Sequence, residues 1–163
     1  WTWMYRYICL FDFSAIADTD SKDSATYEFA VKTGTLTDDF TDSVSMVTST
    51  PASNTDLVAA DYAQLGTTKQ ASDVTLASLT ADSTTYNSMT INATGLGNIS
   101  LPGVSKFGDR MTRDNDDSEP AATGNQKSHF EHMEADTAGT GTDPKTVLVH
   151  SAAATFLPRT IIV

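Results

Sequence analysis

Residues 86–120, YNSMTINATGLGNISLPGVSKFGDRMTRDNDDSEP, constrain the fold of this chain more than any other stretch. Two segments of alternating polarity lie within it, separated by a glycine-containing turn and followed by an acidic loop. Alternation with a period of two is typical of a strand with one buried face, and Gly, Asp and Ser favour the turns between strands. The stretch therefore predicts short strands joined by tight turns.

The composition of the whole chain agrees with this pattern. Its 163 residues suffice for one domain with its own core and are too few for two ordinary domains. Aspartate supplies nearly all of the acidic residues, and together with abundant serine and threonine it suits turns and pleated surfaces better than helix interiors. We therefore expect an all-β protein, a β-sandwich or jelly roll, that is extracellular or exposed on a virion surface.

The net charge of −11 limits the partners that such a protein can bind. Binding to nucleic acid requires a basic stripe that neutralises phosphates, and an anionic membrane surface attracts basic segments. No stretch approaches the ~20 apolar residues of a membrane-spanning helix. We expect neither nucleic acid nor membrane insertion.

Strands are predicted in seven segments: 3–13, 25–33, 43–49, 86–92, 104–110, 128–134 and 146–150. The first is apolar on both faces, which suits a central strand, and residues 14–24 after it have the composition of a loop. These elements predict one domain over residues 1–150. Residues 151–163 are a hinge and a short apolar tail, in which Pro158 allows only an edge strand.

Two short helices are expected between the strands. Asn54 or Thr55 can cap a helix over residues 56–65, with Gly66 as its stop, and we expect this helix to cover an open end of the sandwich. Residues 95–99 can form a single helical turn.

Cys9 is the only cysteine, so no internal disulfide can form. It lies in the apolar run MYRYICLF and is either a buried small hydrophobic residue or the site of an intermolecular bridge. The aromatic N-terminal run lacks the layout of a signal peptide and an initiator Met, so we expect a processed or incomplete N-terminus.

Several of these segments resemble DNRLRE-type β-sandwich domains. The segments INATGLGNIS, GVSKFGDR and RDNDDSEP, followed by ADTAGTGTDPKTVLVH, are similar to the second half of that family. YRYICLFDFSAIADT and SATYEFAVK are similar to its early strands, so the resemblance covers nearly the whole chain. It implies a structural or surface module of phages or bacteria rather than an enzyme.

The chain also departs from the family pattern. Phe13 stands where the family tends to have Thr, Tyr27 where it has Leu, and Asp109 where it has an aliphatic residue. A complete domain would also have strands before Trp1. The resemblance therefore implies an incomplete sheet that a partner chain completes.

The acidic loop DNDDSE is the strongest candidate for a metal site. Its carboxylates, Asp114, Asp116, Asp117 and Glu119, are the oxygen ligands that Ca²⁺ prefers. The spacing is not that of an EF-hand, and a solvated acidic turn with side-chain-to-backbone hydrogen bonds is the alternative.

Other chemistry-bearing residues do not form a motif. In HFEHME, a strand would direct His129 and His132 to opposite faces, which disfavours zinc. The sequence contains no nucleophile elbow, P-loop or dinucleotide fingerprint. We expect no catalytic activity.

A basic patch is possible at Lys106, Arg110 and Arg113, which lie close together in the sequence. It would bind an acidic polysaccharide, and exposed rings among Tyr27, Tyr62 and Tyr86 could stack on sugars. The alternative is scattered surface charge.

Two functional hypotheses remain at this point. The first is a non-enzymatic structural or adhesive module that contacts copies of itself, or virion or surface proteins, through its sheet edges. Such a module belongs to a capsid decoration, tail or fibre protein, or to a bacterial surface filament. The second is a carbohydrate-binding module for an acidic polysaccharide.

Overall fold

Three antiparallel sheets make up the fold within residues 4–134 and 141–153, which the computed structural model describes. The strands are β1 (Tyr7–Asp12), β2 (Ser21–Ala30), β3 (Thr37–Asp38), β4 (Ser43–Ser49), β5 (Leu65–Lys69), β6 (Val74–Thr75), β7 (Tyr86–Thr90), β8 (Val104–Met111), β9 (Ser128–His129) and β10 (Lys145–Ser151). A five-stranded sheet has the order β1-β8-β4-β5, with β6 paired to the other end of β4. A three-stranded sheet has the order β10-β2-β7, and β3 pairs with β9.

The core lies between the two larger sheets. Along β2, Ala25, Tyr27 and Phe29 are buried, while Thr26 and Glu28 on the opposite face are only half-buried. On the other side, β4 and β8 contribute Met46 and Phe107, both fully buried. Each sheet thus presents one apolar face to the other, which confirms the predicted all-β sandwich.

Alternation predicted the faces of β7 correctly, whereas β8 is buried on both faces from Phe107 to Arg110. Asn87, Met89 and Ile91 are buried, whereas Ser88 and Thr90 are exposed. The predicted helical turn is also present, as α1 (Ala93–Asn98), whose first turn is capped by the Asn92 side chain accepting a hydrogen bond from the Gly95 amide. A further short helix, α2 (Thr112–Asn115), follows β8 directly.

The predicted helix over residues 56–65 is shorter and of a different type. A 3₁₀ helix spans Ala59–Gln64, a second one spans Leu76–Ser78, and neither Asn54 nor Thr55 caps the first. The Asp61 carboxylate instead accepts hydrogen bonds from the Val58 and Ala52 amides, at 2.9 and 3.0 Å. Gly66 does not end the helix but lies in β5, because the chain must become extended at Leu65 to pair with β4.

The extent and position of three strands also differ from the sequence-based expectation. β2 begins at Ser21, inside the expected loop, because every residue of β10 from Lys145 to Ser151 pairs with β2 between Ser21 and Glu28. β1 is an edge strand rather than a central one. The expected strand 128–134 consists of β9 and an isolated bridge between Val31 and His132, since the chain changes its pairing partner from β3 to the end of β2.

Candidate functional site

The acidic loop lies against two arginines. The Arg6 Nε and Nη2 atoms donate to the two carboxylate oxygens of Asp114, each at 2.8 Å. Arg110 makes the same forked contact from β8, with both distances 2.9 Å. The Asp114 carboxylate therefore accepts four charge-assisted hydrogen bonds, and its oxygens are already occupied.

These contacts determine the protonation of Asp114. Burial by itself would raise the pKa of this carboxyl, but the hydrogen bonds and charges of Arg6 and Arg110 outweigh it and lower the pKa to about 2. Asp114 is a structural anion that joins the chain before β1 to β8 and α2.

The other three carboxylates of the predicted calcium site are dispersed. Asp116 Oδ2 lies 3.9 Å from Lys69 Nζ, Asp117 adopts a left-handed backbone conformation with φ of 49°, and Glu119 is exposed. Within residues 4–134 and 141–153, no group of three or more His, Cys, Asp or Glu side chains could hold a metal ion. The geometry gives the calcium hypothesis no support.

Each cation of the predicted basic patch has a partner within the chain. Lys106 Nζ donates to the Pro51 carbonyl at 3.2 Å, and Arg113 donates to the Phe40 carbonyl at 2.9 Å. Arg110 is buried against Asp114. Arg110 is thus withdrawn from the surface, whereas Lys106 and Arg113 are half-buried.

The three tyrosines considered for sugar stacking have other surroundings. Tyr27 is fully buried. The guanidinium of Arg6 lies 4.3 Å from the centre of the Tyr62 ring, and Lys145 Nζ lies 3.9 Å from the centre of the Tyr86 ring. Cations therefore occupy one face of each remaining ring.

A polar cluster lies inside the sandwich, among the residues of the apolar core. Tyr27 donates a hydrogen bond to Asp109 Oδ2 at 2.8 Å, and His132 Nε2 lies 3.2 Å from the same oxygen. Burial and the Asp109 charge raise the pKa of Tyr27 well above its ordinary value, and the same two causes raise that of Cys9. Both side chains stay protonated, and their burial keeps them away from any substrate.

Two of the departures from the DNRLRE pattern meet in this cluster. Tyr27 and Asp109 are partners, so the hydroxyl on β2 offsets the cost of the carboxylate on β8. The sequence showed both departures but not their contact, because residues 82 positions apart are joined only by the packing of the two sheets.

Two small depressions lie on the surface of the described residues. One of about 150 Å³ is lined by Arg6, Leu57 and Tyr62, and one of about 260 Å³ by Lys32, Glu131 and Met133, among others. Both volumes lie below the ~300 Å³ at which small-molecule sites begin. In the second depression, which His132 also lines, Lys32 forms an ion pair with Glu131 at 3.1 Å.

The two long sides of the sandwich differ in how they are closed. On one side β5 and β7 are joined by the bridge between Ala71 and Ile91, and the Asn92 amide donates to the Gln70 carbonyl at 2.9 Å. On the other side the sheets end at β1 and β10. Among the described residues, no strand pairs with the outer edge of either.

Aromatic contacts span this second side, which we call the open side. Tyr7 of β1 stacks on His132, with ring centres 4.0 Å apart and planes at 17°. Further along, Phe11 meets Tyr27 edge to face at 5.8 Å. Side chains therefore close the core here, and β1 and β10 are the outermost described strands of the two sheets.

Comparison with known proteins identifies no relative. No family model matches the chain, and neither a curated protein nor a solved structure does. No helix in residues 4–134 and 141–153 is long and apolar enough to cross a membrane. The fold and its surfaces are therefore the basis for what can be inferred about function.

Proposed function

We propose that this chain is a non-enzymatic structural module that works by contact with neighbouring subunits. It would serve in a virion, as a capsid decoration, tail or fibre protein, or in a bacterial surface assembly such as a filament. The observation that carries this proposal is the open side of the sandwich, where each of the two larger sheets ends in an edge strand, β1 or β10, with no pairing strand among the described residues.

An edge strand presents unpaired backbone N–H and C=O groups, which form a template for a strand from another chain. β1 offers six residues and β10 offers seven, lengths that suffice for regular pairing. The remaining surface carries the net charge of −11, which opposes non-specific association. The chain thus combines a repelling surface with two pairing edges.

The chemistry of the interior agrees with a role in contact. Cys9 and Tyr27 are buried with raised pKa values, and Asp114 is neutralised by two arginines. These groups stabilise the sandwich and leave the surface for recognition. The resemblance to DNRLRE-type domains supports the same role and an extracellular or virion location.

Light scattering on the purified chain, measured over a range of concentrations, tests this proposal. We expect the molar mass to rise above the 17.4 kDa of one chain as concentration increases. A folded chain that keeps the mass of a monomer up to about 1 mM, where the weakest specific contacts form, would contradict it.

A further inference from the structure

We infer that β10 pairs edge to edge, antiparallel, with β10 of a second copy of this chain, so that two three-stranded sheets become one of six strands. This inference rests on the proposed function and specifies which edge carries it. Four properties of β10 support it: exposed valines, a lack of acidic residues, a lack of edge protection and self-complementarity.

The exposed valines lie on the outer face of β10. Val147 is 46% exposed and Val149 is 53% exposed, whereas Leu148 between them packs against the core. Their neighbours on the same face of β2 are Thr26 and Ser24. A second strand beside β10 would cover both valines from the edge, where β2 does not reach.

Charge favours this edge over the rest of the surface. The chain carries 21 acidic residues, but the β10 sequence KTVLVHS contains none. Its acidic neighbours are engaged by β10 itself: Lys145 Nζ lies 3.2 Å from Glu28 Oε2, His150 Nδ1 lies 2.8 Å from Asp20 Oδ2, and Ser151 Oγ donates to Asp23 at 2.8 Å. The strand itself therefore adds no negative charge to a contact between two copies that each carry a net charge of −11.

β10 also has few of the features that protect edge strands. It contains no proline, and the side chains that point inward, Thr146 and Leu148, are uncharged. Its one irregularity is a register shift between Val149 and His150. Regular pairing with a second copy should therefore end at the shift, which leaves residues 147–149 as the paired segment when Leu148 lies opposite Leu148 of that copy.

An antiparallel pair of identical strands is self-complementary and closes with two-fold symmetry. If Leu148 lies opposite Leu148 of the second copy, Val147 lies opposite Val149 of that copy on the outer face. Such directly opposed side chains have Cβ atoms about 5 Å apart. The two exposed valines of each copy would then form two apolar cross-strand contacts.

Substitutions at two valines of similar exposure test the inference. Val149→Asp places a like charge at the contact, and Val58→Asp is the matched control because Val58 is 56% exposed and distant from β10 in the topology. We expect Val149→Asp to raise the dimer dissociation constant at least about tenfold, and Val58→Asp to leave it within about twofold. Circular dichroism confirms that both variants are folded.

The outcomes separate this inference from the proposed function. If the wild type associates and Val149→Asp associates equally well, the β10 contact is wrong while the proposed function stands. If the wild type remains a monomer throughout, both are wrong.

Disulfide formation supplies a second test that does not depend on destabilising the contact. In a Cys9→Ala background, we mix one variant carrying Val147→Cys with another carrying Val149→Cys and oxidise them. The inferred register predicts a cross-linked heterodimer, at least about fivefold more than the mixture of Val147→Cys with the control Val58→Cys, because directly opposed Cβ atoms lie about 4.5–5.5 Å apart and need only a small shift to reach the spacing of a disulfide. Equal yields from both mixtures would overturn the inference.

Discussion

Asp114 links three parts of the chain at the level of a single residue. Its carboxylate receives Arg6 from the segment before β1 and Arg110 from β8, and it belongs to α2 itself. Arg6 and Arg110 further donate to the Tyr62 and Gly66 carbonyls, which ties down the 3₁₀ helix and β5. Removing the carboxylate would leave two largely buried guanidinium groups without their counter-ion.

Asp114→Asn should destabilise the chain by about 2–3 kcal/mol, somewhat less than the loss of a fully buried partner because Arg6 is partly exposed. Denaturant unfolding of the variant measures this loss. The adjacent Asp116→Asn is the control and should change stability by less than about 0.5 kcal/mol, because its side chain is half exposed. Equal effects of the two substitutions would contradict the account.

The same carboxylate predicts how stability depends on pH. Its folded-state pKa of about 2 lies below the ordinary value of about 3.9. The ionised form therefore contributes stability above about pH 4, and this contribution is lost as the pH falls towards 2. Unfolding measured from pH 5 to pH 2 should show a smaller acid loss in Asp114→Asn than in the wild type.

The buried tyrosine provides a second test of a single residue. Tyr27→Phe removes the donor to Asp109 and leaves the carboxylate buried with fewer partners, which should cost about 1–3 kcal/mol. Tyr62→Phe is the control, since its exposed hydroxyl lies 3.4 Å from the Met4 carbonyl and contributes little. Thermal unfolding compares the stability of the two variants. A melting temperature of Tyr27→Phe equal to that of the wild type would show that the interior hydrogen bond does not contribute to stability.

Individual elements show what the sequence could predict and what it could not. β7, β8 and α1 follow from local alternation and capping, and the structure has them close to the expected bounds. The start of β2 depends on β10, more than 110 residues later in the chain, so the polar residues before Ala25 resembled a loop. The pairing of Arg110, a member of the expected basic patch, could not be predicted either, because only the folded chain brings Arg6 and Arg110 to Asp114.

The helix α1 closes one side of the sandwich, and its two glycines have different surroundings. A Cβ at Gly95 would collide with the Gln70 carbonyl and the Ile91 side chain, whereas a Cβ at Gly97 would meet nothing within 4 Å. Gly95 is therefore required for the close approach of α1 to the bridge between β5 and β7.

Gly95→Ala should destabilise the chain by about 1–3 kcal/mol through overpacking. Gly97→Ala in the same helix should be neutral or stabilising by up to about 1 kcal/mol, because alanine has the higher helix propensity. Denaturant midpoints of the two variants give the comparison. A tolerated Gly95→Ala would mean that α1 does not seal this side.

The contacts of the loop from Asp114 to Glu119 indicate that calcium should change the thermal stability of the chain very little. Because Asp114 is bound by two arginines, we expect 5 mM CaCl₂ followed by excess EDTA to change the melting temperature by less than about 1 °C. An increase of several degrees with calcium, reversed by EDTA, would restore the metal site to these carboxylates.

At the scale of the whole molecule, the two sides of the sandwich differ in how their strand edges are closed. One side is closed by the contact of β5 with β7, and the other ends in β1 and β10 with aromatic side chains between them. A sheet that ends in available edges and carries a strongly acidic surface elsewhere is suited to ordered contacts with few partners. The central claim is that these edges pair in an assembly.

Amide hydrogen exchange of the wild-type chain at low and at high concentration tests this claim most directly. We expect amides of β10, and of β1 if it also pairs, to become protected at the concentration where the molar mass rises, while those of β4 and β8 stay unchanged because they are already paired on both sides. Exchange at β1 and β10 that is the same at both concentrations, in a sample that has assembled, would contradict it.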